Sequence, residues 1–267
     1  MLTYLLTALT YMHTPCGYEE FILLSDALGV STLVDTINNA KPPDATEATV
    51  LGPFFTEDAH DGMICLHRER LGLTSMVVPN GDSIASEGKG DYMFVEGRVL
   101  DTKGTPIAGA TIDTWETDSN GLYDTQYSHR DKPDCRGRLT SAEDGTYSFR
   151  AVVPVPYPIP SDGTVGKLLS RLGRHVFRPA HLHMMIEAPG FEKLITALYF
   201  EGDPYLTSDA VFGVRTSLIV KAEIITDVEE TKARGFAEEK SHVYLRQDFI
   251  LATSEEGAAA RKAVANH

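Results

Sequence analysis

Cysteine is scarce in this chain and poorly placed for pairing. Cys16, Cys65 and Cys135 are odd in number, widely spaced and form no Cys-x-x-Cys pair. That excludes a disulfide framework and fits a reducing compartment. Basic charge is also short. Lys and Arg number 24 against 38 Asp and Glu, a net charge of −14. So acidic a surface repels polyphosphate and argues against nucleic-acid binding as the main role. Long apolar runs are missing too. The apolar opening, residues 1–12 (MLTYLLTALTYM), falls short of the about 20 residues that a membrane span needs. It has no basic n-region and no small-residue cleavage site, so it is expected to be a packed helix of a cytoplasmic protein. There is no internal repeat and no low-complexity block.

What is present is an ordinary globular chain of 267 residues, 42% of them hydrophobic, enough for one large domain or two small ones. Residues 1–39 read as helical, because Phe21, Leu24, Leu28, Val30, Leu33, Val34 and Ile37 recur every three to four positions. Pro42-Pro43 follows the end of that run. Residues 79–91 are rich in Gly, Ser, Asp and Asn and read as a linker or exposed turn. From Tyr92 the texture becomes short strands: 94–100, 110–117, 138–140 and 147–152, then 180–188, 194–200, 216–223 and 242–251. One helix, Val165 to Leu172, interrupts them, and the tail from Thr253 is either a terminal helix or frayed. The expected fold is mainly β, an antiparallel β-sandwich behind an N-terminal helical segment. The division is residues 1–90 helical and linking, 91–252 sandwich, 253–267 tail.

The chain is organised around Arg178-Pro179-Ala180-His181-Leu182-His183. On a strand, His181 and His183 share one face, with Cα atoms roughly 6.6 Å apart. That span suits two imidazoles converging on one metal ion, although a His-x-His pair alone is also consistent with two outward polar side chains. Tyr123, in Asn120-Gly121-Leu122-Tyr123, and Tyr157, in a Tyr-Pro-x-Pro loop, are the other donors within reach. Phenolate is a hard anionic oxygen donor and imidazole a borderline one, so two of each favour Fe(III) over zinc. With eleven tyrosines present, two near the histidines are also consistent with plain core filling.

These motifs resemble the intradiol ring-cleaving dioxygenases, non-haem Fe(III) enzymes that open catechol-type rings between the two hydroxyls. The resemblance runs from about residue 20 to 251. It is carried by Leu51-Gly52-Pro53-Phe54, Asp113-Thr114-Trp115, Asn120-Gly121-Leu122-Tyr123, Val155-Pro156-Tyr157-Pro158-Ile159-Pro160, Arg178 to His183, and Asp209 to Val214. Within the family it points to the hydroxyquinol 1,2-dioxygenases. It implies a β-sandwich holding one Fe(III), with N-terminal helices that pair into a homodimer and can bind a phospholipid. By the same resemblance Tyr123 is the tyrosinate that stays bound, Tyr157 the one substrate displaces, and His181 and His183 the imidazoles. Arg178 stabilises charge on the ring. Some family members carry a glutamine where this chain has Ala197; either Tyr199 or a water takes that role here, or this branch does without it. The family usually has more helix before residues 5–12, so the first helices are expected to be missing.

The substrates implied are a small aromatic diol or triol and O2. Val50, Leu51, Gly52, Pro53, Phe54 and Phe177 are expected around the ring, although packing alone would also explain the apolar ones. Leu23 and Asp26 lie one turn apart on the first helix, and in hydroxyquinol enzymes a leucine and an aspartate at this spacing line the pocket. The plain alternative for Asp26 is an exposed or turn-capping carboxylate. Two other classes stay open: a non-catalytic sandwich with a structural metal, and a lipid-binding or scaffold role for the helices.

Overall fold

The computed structural model describes residues 20–56, 78–129 and 132–265. The expectations for residues 1–12, for Cys16 and for Cys65 lie outside these. Two short helices open the described chain, α1 (Glu20–Ala27) and α2 (Val30–Asn38). The single apolar stripe expected over 1–39 is broken at Gly29, whose φ of 74° ends α1 and turns the chain into α2.

The strands are β1 (Tyr92–Asp101), β2 (Thr111–Trp115), β3 (Arg136–Thr140), β4 (Thr146–Val152), β5 (Tyr157–Pro158), β6 (Phe177–Arg178), β7 (His181–Glu187), β8 (Leu194–Phe200), β9 (Ile219–Val220), β10 (Glu223–Ile225), β11 (His242–Arg246) and β12 (Phe249–Leu251). Helices α3 (Thr164–Arg171), α4 (Val228–Ala233) and α5 (Ser254–Ala265) complete the set. One five-stranded sheet runs β10-β11-β1-β12, with β4 on β1; the other runs β3-β2-β7-β8-β9.

The sheets are mixed, not wholly antiparallel as expected. β11 and β12 both run parallel to β1, and β9 runs parallel to β8. Parallel pairing needs a long connection, and most of the chain lies between β1 and β11. The run 242–251 pairs with β1 in one continuous register but is two strands, interrupted at Gln247 and Asp248, where Gln247 N donates to Glu96 O. A Cβ at Gly97 would lie 1.7 Å from Gln247 O, so only glycine fits beneath it. The run 216–223 likewise yields only the short β9 and the start of β10.

Both sheets turn a face to one core. Met93, Val95 and Val99 of β1, Phe149 of β4 and Phe249 of β12 meet Ile112 of β2, Leu182, Met184 and Ile186 of β7 and Leu198 of β8. Residues 79–91 are not a free linker, since Ile84 is buried in this core, as is Val78 just before them. Cys135 is a buried free thiol. Among the described residues no helix is long and apolar enough to cross a membrane.

β7 is buried on both faces. Its even positions enter the core, so strand alternation sends His181, His183 and Met185 to the other side. Register then builds a patch there. His183 sits opposite Trp115 of β2 and Ala197 of β8, and His181 opposite Tyr199. Helices α1 and α3 pack beside this face through Leu23, Val165 and Leu169, and Glu20 Oε2 accepts from Val165 N at the start of α3.

Candidate metal centre

Tyr123 reaches the patch from the turn after β2. Gly121 N donates to Asp118 O at 2.9 Å, and Gly121 takes a φ of 73°. A Cβ there would approach Tyr157 Cβ to 3.3 Å, so glycine lets the two tyrosine-bearing segments come together. Tyr157 lies on β5, paired with Arg178 on β6.

The four rings meet. Tyr123 Oη is 3.3 Å from His181 Nε2, and His183 Nε2 is 3.0 Å from the same nitrogen. Tyr157 stands edge-on to Tyr123 at 5.4 Å between ring centres and 5.6 Å from His181. All four side chains are buried. His181 Nδ1 is 2.7 Å from Pro179 O, which fixes it as the N–H and leaves the Nε2 lone pair facing the cluster. His183 Nδ1 is buried with no hydrogen-bond partner. Burial first, then the Arg178 guanidinium, pushes His181 down to about 3. Burial, then His181, holds His183 well below the ordinary range, so both imidazoles are neutral. Burial, with Tyr157 beside it, keeps the Tyr123 phenol well above its ordinary value until a cation offsets it. Among the described residues no group of three His, Cys, Asp or Glu could hold a metal. A site here therefore needs the phenols as well as the imidazoles, and neutral imidazoles beside phenols are a donor set that ferric iron accepts.

Arg178 is buried with Nη1 3.2 Å from His181 Nε2. Phe54 stacks on Tyr123 at 4.3 Å between ring centres, with Leu51 packed alongside. Gly52 crosses over His183, where a Cβ would lie 3.6 Å from Cε1. Pro53 between them is exposed. Leu23 and Val50 share an adjoining apolar cluster with Ala210 and Val211. Asp26 is half-buried and within electrostatic reach of Arg178; burial raises its carboxyl, partly offset by Ser31 and Arg178. Phe177 stands further out, stacked on Tyr205. Ala197 is fully buried opposite His183.

Sequence reasoning quoted Trp115 within a motif but gave it no place in the site, where it lies flat on His183 at 4.7 Å and 8°. Its position at the end of an alternating strand, on the parity that avoids the core, was the available signal. Asp209, Arg136 and Asp124 were also missed as site residues, because ion pairs between distant segments leave no local pattern.

A dioxygenase family model matches residues 75–251, and one for the catechol dioxygenase N terminus matches residues 4–46. The chain belongs to the intradiol ring-cleavage dioxygenases. It is 47% identical to the intradiol ring-cleavage dioxygenase hqdA of Aspergillus niger, over 91% of this chain and 68% of that one. It is 47% identical to a hydroxyquinol 1,2-dioxygenase of Rhizobium sp., over 82% of this chain and 69% of that one. Among solved structures, the hydroxyquinol 1,2-dioxygenase of Pseudomonas putida DLL-E4 superposes with a TM-score of 0.80 at 41% identity, covering 94% of this chain and 82% of that one. For an intradiol dioxygenase, the buried cluster of two imidazoles and two phenols is the natural place to look for the chemistry.

Proposed function

We propose that this chain is a non-haem Fe(III) dioxygenase that opens hydroxyquinol, 1,2,4-trihydroxybenzene, between adjacent hydroxyls with O2, giving 3-hydroxy-cis,cis-muconate. One observation carries the reading: Tyr123 Oη and His183 Nε2 both lie within 3.3 Å of His181 Nε2, in a buried site whose imidazoles are neutral. Tyr123, Tyr157, His181 and His183 would hold one iron. Bound there, ferric iron would draw electron density from the ring and open it to O2. As the phenolate that would hold the iron, Tyr157 Oη would take up one hydroxyl proton of the diol. Arg178 Nη1 faces the negative charge that grows on the ring. Leu23, Val50, Leu51 and Phe54, with the Gly52-Pro53 backbone, enclose the ring and exclude water.

Asp26 meets the third hydroxyl. A buried hydroxyl without a partner costs about 1–3 kcal/mol, so a pocket with Asp26 favours the triol over catechol or chlorocatechol. The names of the Rhizobium and Pseudomonas relatives support the same choice. The reading includes a homodimer through α1 and α2, supported by Val30, Leu33, Val34 and Ile37 standing 47–60% exposed on one face of α2. A phospholipid between those helices, a catalytic unit of residues 91–252 and a cytoplasmic location belong to the same proposal.

A visible spectrum tests the iron site. Tyrosinate on ferric iron absorbs visible light, so the iron-loaded protein should be red-brown and its band should shift with anaerobic hydroxyquinol. Tyr123→Phe should weaken both the colour and iron retention. A colourless iron-replete protein would overturn the ligand set. Faster turnover of catechol than of hydroxyquinol would overturn the substrate and leave the ligands standing.

A further inference from the structure

Arg178 is a buried cation, and its placement has to come from other residues. A guanidinium carries five N–H donors in a rigid fork, and three contacts fix this one. Nε is 3.2 Å from Asp209 Oδ1, and Nη2 is 3.4 Å from Asp209 Oδ2. Nη2 also donates to Tyr199 Oη at 3.3 Å. That leaves Nη1 pointing at the cluster, 3.2 Å from His181 Nε2.

The carboxylate is itself held. Asp209 Oδ1 accepts from Val211 N at 3.2 Å and Oδ2 from Gly213 N at 2.8 Å. The 209–213 loop is tied down from two sides: Thr32 Oγ1 donates to Val211 O and Thr49 Oγ1 to Gly213 O. At Gly213 a Cβ would lie 2.8 Å from Arg178 Nη2, 2.9 Å from Tyr199 Oη and 3.2 Å from Asp209 Oδ2. The absent side chain is the space the guanidinium occupies.

We propose that Asp209, assisted by Tyr199, is a positioning residue that locks Arg178 so that Nη1 faces the bound ring, and that Gly213 keeps the lock open for the guanidinium. The proposal rests on the role given to Arg178 above. Asp209 touches neither substrate nor iron; it acts through the arginine. Tyr199 is the side chain of β8 that serves this end, two positions beyond Ala197.

The test is a set of double-mutant cycles on the iron-loaded enzyme with hydroxyquinol, using Asp209→Asn, Tyr199→Phe, Gly213→Ala and Arg178→Gln. Asparagine keeps the shape but turns a charged acceptor into a group that can present N–H to the guanidinium. Asp209→Asn should lower kcat by about 10-fold or more, about 1.4 kcal/mol, because the guanidinium loses the charged acceptor that fixes its fork. KM and the anaerobic dissociation constant should change far less, and iron content and resting colour should hold. Tyr199→Phe and Gly213→Ala should give smaller losses of the same kind. In the Arg178→Gln background each should add less than about 2-fold, because the residue they act through is gone. Losses that multiply in that background overturn the proposal, as does a loss that only tracks iron content or melting temperature. If Asp209→Asn does not fold, the Tyr199 and Gly213 cycles decide alone. If Arg178→Gln itself leaves kcat unchanged, the role of the arginine fails first and this proposal with it.

Discussion

Arg136→Met should be the most damaging single change outside the cluster. Arg136 and Asp124 form a buried ion pair at 2.7 Å, with side chains only 7% and 4% exposed. Arg136 Nη2 also donates to Phe54 O at 2.8 Å. Asp124 directly follows Tyr123, and Phe54 stacks on the Tyr123 ring, so one guanidinium ties two walls of the site together. Removing one partner of a buried pair takes the guanidinium away from the carboxylate and costs about 3–5 kcal/mol. For a domain near this size that lowers Tm by about 10 °C. Methionine fills much of the volume, so the loss reports charge and hydrogen bonding more than a cavity. Adding Asp124→Asn removes the buried carboxylate that Arg136 no longer faces, and the double variant should regain more than about 1 kcal/mol over Arg136→Met alone. Equilibrium urea unfolding measures both. Trp115, the single tryptophan, lies against His183 and reports this region, with far-UV circular dichroism for the rest of the fold. A loss under about 1 kcal/mol for Arg136→Met, or a double variant no more stable than the single, would refute the reasoning.

Asp26→Ala should cut kcat/KM on hydroxyquinol by about 10-fold or more, about 1.4 kcal/mol, while catechol is unchanged or improved; equal losses on both would make Asp26 structural. Glu116 is fully buried, and desolvation raises its carboxyl well above the ordinary range, against one backbone hydrogen bond from Val152 N. Its folded pKa is the higher one, so above the unfolded value the unfolded state binds fewer protons and stability falls as pH rises. Glu116→Gln should therefore match the parent near pH 4 and gain on it by about 1.4 kcal/mol per pH unit through the interval between the two pKa values, a trend that urea midpoints at several pH values will show or deny. Leu33→Glu, on the exposed face of α2, should leave the melting temperature of dilute protein nearly unchanged but weaken self-association; unchanged sedimentation over a range of concentrations would remove α2 from the interface.

The parts of the fold that were legible in the sequence are those with a local period. The alternation in Thr111–Trp115 was plain, and the apolar run 180–188 read as a strand, which placed His181 and His183 on one face. The helix within 165–172 and the turn before Tyr123 were likewise readable from local composition. What was not legible depends on partners far along the chain. The parallel pairing of β11 and β12 with β1 is a fact of topology, and no residue of those strands announces its direction. The short β10 and α4 went unread because they are largely exposed and carry little apolar period, although Asp227 does cap α4 by accepting from Glu229 N and Glu230 N. Gly29 lies inside the run read as one helical stripe, and its positive φ separates α1 from α2.

Charge accounts for why the site takes the form it does. The two guanidiniums nearest the cluster are each matched by a carboxylate, Arg178 by Asp209 and Arg136 by Asp124. Burial alone would push Arg178 down and Asp209 up, and the attraction between them reverses both. Both imidazoles are held neutral, and the Tyr123 phenol is held protonated. These groups therefore have little net positive charge to offer an incoming diol, which must lose protons to become reactive. A trivalent cation held by two neutral imidazoles and two tyrosines would supply what the side chains withhold, and it would also bring Tyr123 to its anionic form. Had the site been built to bind anions without metal, Arg178 would face the pocket unpaired. Its pairing to Asp209 instead leaves one N–H pair, at Nη1, aimed inward, which suits a group that responds to charge growing on the ring more than to charge already there. Substitutions that free Arg178 from Asp209 should therefore act on kcat before they act on binding.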